Sequence, residues 1–220
     1  KILNARVLLR RNGSASPEDL AAMKEHAERA ALATDVATPL GLEGNAARVY
    51  FGAFPTMLRN EELAAAFQQS GRKRRPPPDP VNALLSLAYS NLVRVCSEAL
   101  QRVGLDPAVG IYHQVRPGRP ALALDLMEEL RSVVAESSVL RAVNTAVVGP
   151  RDFVVRRTGT MLTERGRRAF IRVLEQRWQE EAVHPSFGRK MAYRRIVEVQ
   201  ARLLSRAFRG EVPYTPVRIR

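Results

Sequence analysis

Glu43, His113, Asp125 and Glu128 are the residues whose types and spacing could do chemistry together. Glu43 sits among Leu40, Leu42, Ala46, Ala47, Val49 and Tyr50, an apolar helical setting in which a carboxylate is costly unless paired or bound to a cation. Asp125 and Glu128 stand three positions apart and so share a helix face, with Leu122, Leu124 and Leu126 around Asp125. Two neighbouring carboxylates repel unless a cation lies between them. His113 precedes them in a stretch rich in proline and glycine, followed by Arg116 and Arg119. Three carboxylates and an imidazole make a mixed oxygen and nitrogen donor set suited to Mg²⁺ or Mn²⁺. A site of that kind acts on phosphodiesters by activating an attacking oxygen and neutralising charge at phosphorus. Each acid taken singly also has a blander reading, a salt bridge to one of 31 arginines, and a lone histidine in a loop is more often structural.

The elements that must position these residues read as helices. Ser16 is placed to cap, Pro17 to start a helix, and Leu20, Met23, Ala27 and Ala31 then form one stripe ending near Thr34. Thr38-Pro39 repeats the start signal, and the segment through Phe54 is apolar around most of its circumference, which predicts a buried helix carrying Glu43. Residues 71–80, GRKRRPPPDP, predict an exposed, stiff connector of polyproline character. Asp79-Pro80 opens a core helix that stops at Gly104. Pro107, Gly110, Pro117, Gly118 and Pro120 mark a loop around His113, and the leucines after it start the next helix. Two amphipathic helices, about 163–183 and 189–209, complete the chain. Strand signal is thin, chiefly Asp152 to Val155, and there is no repeat, heptad array or glycine-rich phosphate loop. The expected fold class is mainly α.

Composition bounds the function. A chain of 220 residues, 45% hydrophobic and 26% charged, builds one folded domain rather than a disordered segment. The net charge is +13, from 31 Arg and 4 Lys against 22 acids, and residues 151–220 hold 17 of the cations but only 7 of the acids. Arginine's planar fork suits phosphate oxygens, so a polyanion is the expected partner, although a basic surface alone predicts only adhesion. A single Cys96 in an apolar run excludes a disulfide framework and a thiolate cluster and suits a reducing compartment. No run reaches the roughly 18 apolar residues of a membrane helix, so no membrane association is expected. The opening KILNARVLLRR reads as the tail of a preceding segment, as in a piece of a longer polypeptide.

The wording around the candidate residues is more specific than their types. LEGNAARVYF at 42–51, RRPPPDPVNALLSLAYSNL at 74–92, GIYHQVRPGRPALALDLMEELR at 110–131 and YRRIVEVQARLL at 193–204 together resemble the integrase of CRISPR adaptation, the endonuclease that inserts new spacers. The resemblance runs in order over about residues 1–210 and covers that family's helical catalytic domain, without its β-rich N-terminal domain. It implies residues 1–14 as connector from a preceding domain, 15–210 as the catalytic domain and 211–220 as a tail. It implies Glu43, His113 and Glu128 as metal ligands for Mg²⁺ or Mn²⁺, with Asp125 a further catalytic acid beside them. Many relatives carry Asp where Glu128 stands, one methylene shorter, and both are hard oxygen ligands.

The implied reaction joins the 3′-hydroxyl of a short DNA duplex to the CRISPR repeat by transesterification. Implied partners are double-stranded DNA, both prespacer and repeat, a second copy in a homodimer, a small ferredoxin-like protein bridging two dimers, and a fused nuclease or reverse transcriptase. The implied location is the prokaryotic cytoplasm. Arg72, Lys73, Arg74 and Arg75 in the stiff loop, and Arg116 and Arg119 beside His113, are the expected DNA-phosphate contacts. Tyr89 and Asn82 belong to one of the resembling stretches but also fit hydrogen-bonding roles in a core, and His26, Trp178 and His184 read as structural or surface residues. Two alternatives stand beside this reading: a non-catalytic helical DNA-binding scaffold whose acids pair with arginines, and a related transposon integrase of the same fold.

Overall fold

Helix α1, Ile2–Asn12, buries Asn4, Ala5, Val7, Leu8 and Leu9 and packs on α2, α3 and residues 131–136. The segment expected as a connector is therefore helical and part of the core. The computed structural model describes residues 1–73 and 75–218. Helix α2, Pro17–Leu32, starts as its sequence predicts, with Ser16 Oγ accepting from Asp19 N at 3.0 Å. Helix α3, Ala37–Ala53, begins before Thr38, because Asp35 Oδ1 accepts from Thr38 N at 2.7 Å. It is also not buried all round. Only Leu42, Ala46 and Tyr50, four apart, are buried, and Leu40 is 46% exposed.

After α4, Glu61–Ser70, the chain reaches the proline run. This run is tied down at two places. Asn82 Nδ2 donates to Gly71 O at 2.8 Å while its Oδ1 accepts from Lys73 N at 2.9 Å, and Thr160 N and Oγ1 donate to Pro77 O and Pro78 O at 2.8 and 3.0 Å. Helix α5, Pro80–Arg102, is the central element the sequence predicts, capped by Asp79 Oδ1 on Asn82 N at 2.9 Å. It packs against α4, α6, α7, α9 and residues 131–136, and each fully buried leucine on it, such as Leu84, Leu92 or Leu100, contributes about 2 kcal/mol of transfer free energy. Gly104, with φ of +77°, turns the chain out of the helix, a conformation that a side chain would strain.

Helix α6, Ala121–Met127, leads through a turn into a π-helical segment, Arg131–Glu136, and then α7, Ser137–Asn144. The wider π turn leaves Val133 O to accept from Arg177 Nε and Nη2 at 2.9 and 2.6 Å and from Ser137 Oγ at 2.6 Å. Strands β1, Phe153–Arg156, and β2, Gly159–Leu162, form an antiparallel hairpin that bears out the strand signal there. Helices α8, Glu164–Gln179, and α9, Tyr193–Phe208, are shorter than expected. A second hairpin, β3, Glu181–Val183, with β4, Lys190–Ala192, takes up the ends assigned to helix. The chain is mainly helical, and among the described residues no helix is long and apolar enough to cross a membrane.

Candidate active site

The loop carrying His113 is shaped by one carboxylate. Asp125, on α6, accepts from Ile111 N at 2.7 Å and Tyr112 N at 3.0 Å on Oδ2, and from His113 N at 2.9 Å on Oδ1. His113 Nδ1 lies 2.6 Å from the same Oδ1. A carboxylate can only accept, so Nδ1 donates, and in the neutral tautomer the lone pair then sits on Nε2. Gly110 makes the loop possible, since a Cβ there would meet Ala121 Cβ and His113 O, each at 2.6 Å.

Glu43 is reached from two sides. Tyr112 OH donates to its Oε2 at 2.8 Å, and the Lys1 ammonium contacts its Oε1. The same ammonium lies 2.7 Å from Glu128 Oε2. Arg131 Nη1 holds Glu128 from the other side, at 3.1 and 3.2 Å from its two oxygens. Burial alone would raise the Glu128 carboxyl; Arg131 and Lys1 outweigh it and bring the group down to about 2. Burial, with the hydrogen bond to Glu43, pushes the Tyr112 phenol up.

A buried polar layer backs this pair of acids. Arg131 Nη2 donates to Tyr89 OH at 3.0 Å with its guanidinium 4.5 Å from the Tyr89 ring centre, while Tyr89 OH and Tyr50 OH donate to the two oxygens of Glu136 at 2.6 and 2.7 Å. Burial raises both phenols. Arg131 Nε, 3.7 Å from Glu136 Oε1, is a buried donor outside hydrogen-bond reach of a partner. Beside Glu43 lies a cleft of about 610 Å³ whose lining includes Lys1, Glu43, Arg48, Gln68, Arg72 and Arg131.

The structure thus brings Glu43 and Glu128 to one cation, and His113 to Asp125. It separates the jobs of Asp125 and Glu128, which the helical spacing had placed side by side: one carboxylate organises the loop and the other meets Lys1 and Arg131, so no cation between those two is needed. Neither does Glu43 pair with an arginine, its cationic partner being Lys1. Of the expected phosphate contacts, Arg72 lines the cleft, with Nη1 donating to Asn82 Oδ1 at 2.8 Å and its guanidinium 5.3 Å from the Tyr89 ring centre. Lys73, Arg75 and Arg116 are exposed, Arg119 is half-buried, and Arg74 lies outside the described residues. Trp178 and His184 are fully buried, their ring nitrogens meeting Asn91 and Gln200, and Cys96 is buried in the core, so all three are structural.

Sequence reasoning missed Lys1, Tyr112, Arg131 and Arg48. Arg131 was within reach, three positions after Glu128 on a helical pattern. Lys1 carried no local signal, because its partners are 42 and more positions away.

Two carboxylates converging on one cation, with an imidazole held for donation on the adjoining loop, form a donor set of the right type for Mg²⁺ or Mn²⁺. Among the described residues, no three His, Cys, Asp or Glu side chains close around a common point, and the place between the carboxylates is taken by the Lys1 ammonium. The donor chemistry fits a divalent ion once that ammonium moves.

The family model for CRISPR associated protein Cas1 matches residues 1–176. The chain belongs to the Cas1 family. A CRISPR-associated exonuclease Cas4/endonuclease Cas1 fusion from Rhodospirillum rubrum is 47% identical over 221 residues, covering 98% of this chain and 38% of that protein. A CRISPR-associated endonuclease Cas1 from Thermus thermophilus is 45% identical over 221 residues, covering all of this chain and 64% of the relative. Among solved structures, a partial Cas6-RT-Cas1–Cas2 complex superposes with a TM-score of 0.81 at 30% identity, over 96% of this chain and 62% of that one. The chain spans less than two thirds of the length of each of these Cas1 relatives.

Proposed function

We propose that this chain is the helical catalytic part of a metal-dependent DNA integrase and endonuclease of CRISPR adaptation, with residues 15–210 as the catalytic domain flanked by the connector 1–14 and the tail 211–220. One observation carries the reading: Glu43 and Glu128, from separate elements, meet on a single cation, and the loop that reaches Glu43 through Tyr112 carries an imidazole whose Nδ1 is fixed by Asp125. The relatives, Cas1 endonucleases alone or fused to Cas4 and a Cas1–Cas2 complex, support the same reading.

In the proposed reaction, the 3′-oxygen of a short duplex attacks a phosphorus of the CRISPR repeat. A new P–O bond forms, the old one to the repeat strand breaks, and the proton lost by the attacking hydroxyl is balanced by one gained on the departing oxygen. One phosphodiester replaces another, so no ATP is consumed. Glu43, His113 and Glu128 would hold Mg²⁺ or Mn²⁺, which would supply Lewis acidity at the scissile phosphate and lower the pKa of the attacking hydroxyl. The chain's own residues prepare that site. Asp125 keeps His113 Nε2 as the bare nitrogen, Tyr112 orients Glu43 and Arg131 orients Glu128. Arg48 and Arg72 in the cleft serve as phosphate contacts to prespacer and repeat, and so do Lys73, Arg74, Arg75, Arg116 and Arg119. Joining both strands takes two sites, hence a homodimer and a small ferredoxin-like partner bridging two dimers; a fused nuclease or reverse transcriptase and a cytoplasmic location complete the proposal.

A strand-transfer assay with a short duplex, a repeat target and Mg²⁺ or Mn²⁺ tests it. Glu43→Ala and His113→Ala are expected to abolish joining while leaving duplex binding nearly intact. Equal integration by variant and parent overturns the catalytic reading in favour of a DNA-binding scaffold.

A further inference from the structure

Three elements meet at one ammonium. Lys1, at the head of α1, reaches Glu43 on α3 and Glu128 at the end of α6, and all three side chains are largely withdrawn from solvent, at 18%, 23% and 15% exposure. The second cation on Glu128 is of a different kind. Arg131 is 5% exposed, its guanidinium fixed by two bonds to Glu128, one to Tyr89 OH and the face of the Tyr89 ring. A planar fork so held cannot leave without abandoning a buried network. Lys1 makes no such network: its ammonium is a point charge on a flexible four-carbon stem at the edge of the open cleft.

Charge makes the two cations unequal in another way. With Lys1 and Arg131 in place, Glu43 and Glu128 are already neutralised, and a divalent ion between them would lie against a positive charge at contact distance. We propose that Lys1 is an exchangeable counter-ion of the two acids: in the metal-free protein its ammonium holds Glu43 and Glu128 together, and it swings into the cleft when a divalent cation takes its place, while Arg131 stays. The inference rests on the metal-dependent reading of the same site. It assigns Lys1 a positioning role with a defined cost, since whatever the ammonium contributes to the metal-free protein is subtracted from metal affinity. The cleft that would receive the ammonium is bordered by Arg48 and Arg72, so a bound phosphate would meet it there.

The test uses Mn²⁺ alone as the probe, titrated into the full chain without DNA at one pH, with free Mn²⁺ read by its paramagnetic resonance signal. Lys1→Gln is expected to bind Mn²⁺ about tenfold more tightly than the parent, to melt at a lower temperature in chelator, and to gain more from saturating Mn²⁺. Lys1→Arg, which keeps a cation at the acids, is expected to show no gain in affinity. Glu43→Gln is expected to weaken binding and so reports that the titration reads this site. The parent protein supplies a measurement independent of any variant: acylation of the Lys1 ε-amine by a succinimidyl ester, followed by mass spectrometry, is expected to be slow without metal and faster with saturating Mn²⁺. Parent affinity in Lys1→Gln while Glu43→Gln binds weakly, or Lys1 labelling indifferent to Mn²⁺, overturns the exchange and leaves the metal site standing. Failure of the parent to bind Mn²⁺, or Glu43→Gln binding it as tightly as the parent, overturns the metal reading and the exchange with it.

Discussion

Asp125 gathers three backbone N–H groups and the His113 Nδ1–H on one carboxylate, a task no neutral side chain repeats. An amide in its place offers one acceptor oxygen and turns an N–H₂ towards donors. Asp125→Asn is therefore expected to lower strand transfer by about 10- to 100-fold and stability by about 1–3 kcal/mol, with duplex binding retained. Strand-transfer rates and denaturant melts check both, and a variant with parental rates would remove the positioning role. Glu43, His113, Asp125 and Glu128 were legible in the sequence because acids and an imidazole among apolar neighbours need an explanation. Their division of labour was not. Helical spacing put Asp125 and Glu128 on one face, but the partners that separate them, the 111–113 backbone on one side and Lys1 with Arg131 on the other, arrive from remote or looped segments.

Elements whose ends are closed by local chemistry match their sequence signals. Ser16 caps α2 and Asp79 caps α5 within three residues of themselves, so the cap bond is written in the sequence next to the helix it starts. Hairpin β3–β4 shows the opposite case. Glu181, Ala182 and Val183 pair with Ala192, Met191 and Lys190, residues that continue a helical pattern when read alone, and the pairing prevails over that propensity. The His113 loop is held by packing as well as by Asp125. Gly110→Ala would set a Cβ 2.6 Å from both Ala121 Cβ and His113 O, so the loop must shift off Asp125. The expected loss is about 1–3 kcal/mol in stability together with a large fall in strand transfer. Thermal melting and the joining assay read the two effects, and an unaltered melting temperature would show that the loop yields freely.

At the scale of the molecule, the +13 charge and the arginines around the cleft call for a polyanion held by its backbone. Duplex affinity is expected to fall steeply with salt, with a log–log slope of about −5 or steeper if six or so phosphates are neutralised. Fluorescence anisotropy at several salt concentrations measures this, and a flat dependence would remove the backbone-tracking surface. The same scale explains how α1 and the tail join the core. Asn4 Nδ2 donates to Glu129 O and Val217 O at 2.8 and 2.9 Å, joining α1, the acid motif and the tail in one network. Neither Asn4 nor Val217 carries a local sign of it, since the bonds span 125 and 213 positions.

The sequence by itself determined the helical class, the capped starts of α2 and α5 and the resemblance that placed the chain in one family, and it singled out the acid and imidazole set as candidates. Those properties rest on residue type and short spacing, which a linear reading preserves. Only the tertiary structure decided which acids share a cation, which carboxylate serves the loop, and that the cation is a lysine rather than one of the 31 arginines. The physical reason is range. Charge pairing and burial act between groups a few ångströms apart in space, whatever their separation along the chain, and α1, α3 and the end of α6 come within that reach only in the folded core.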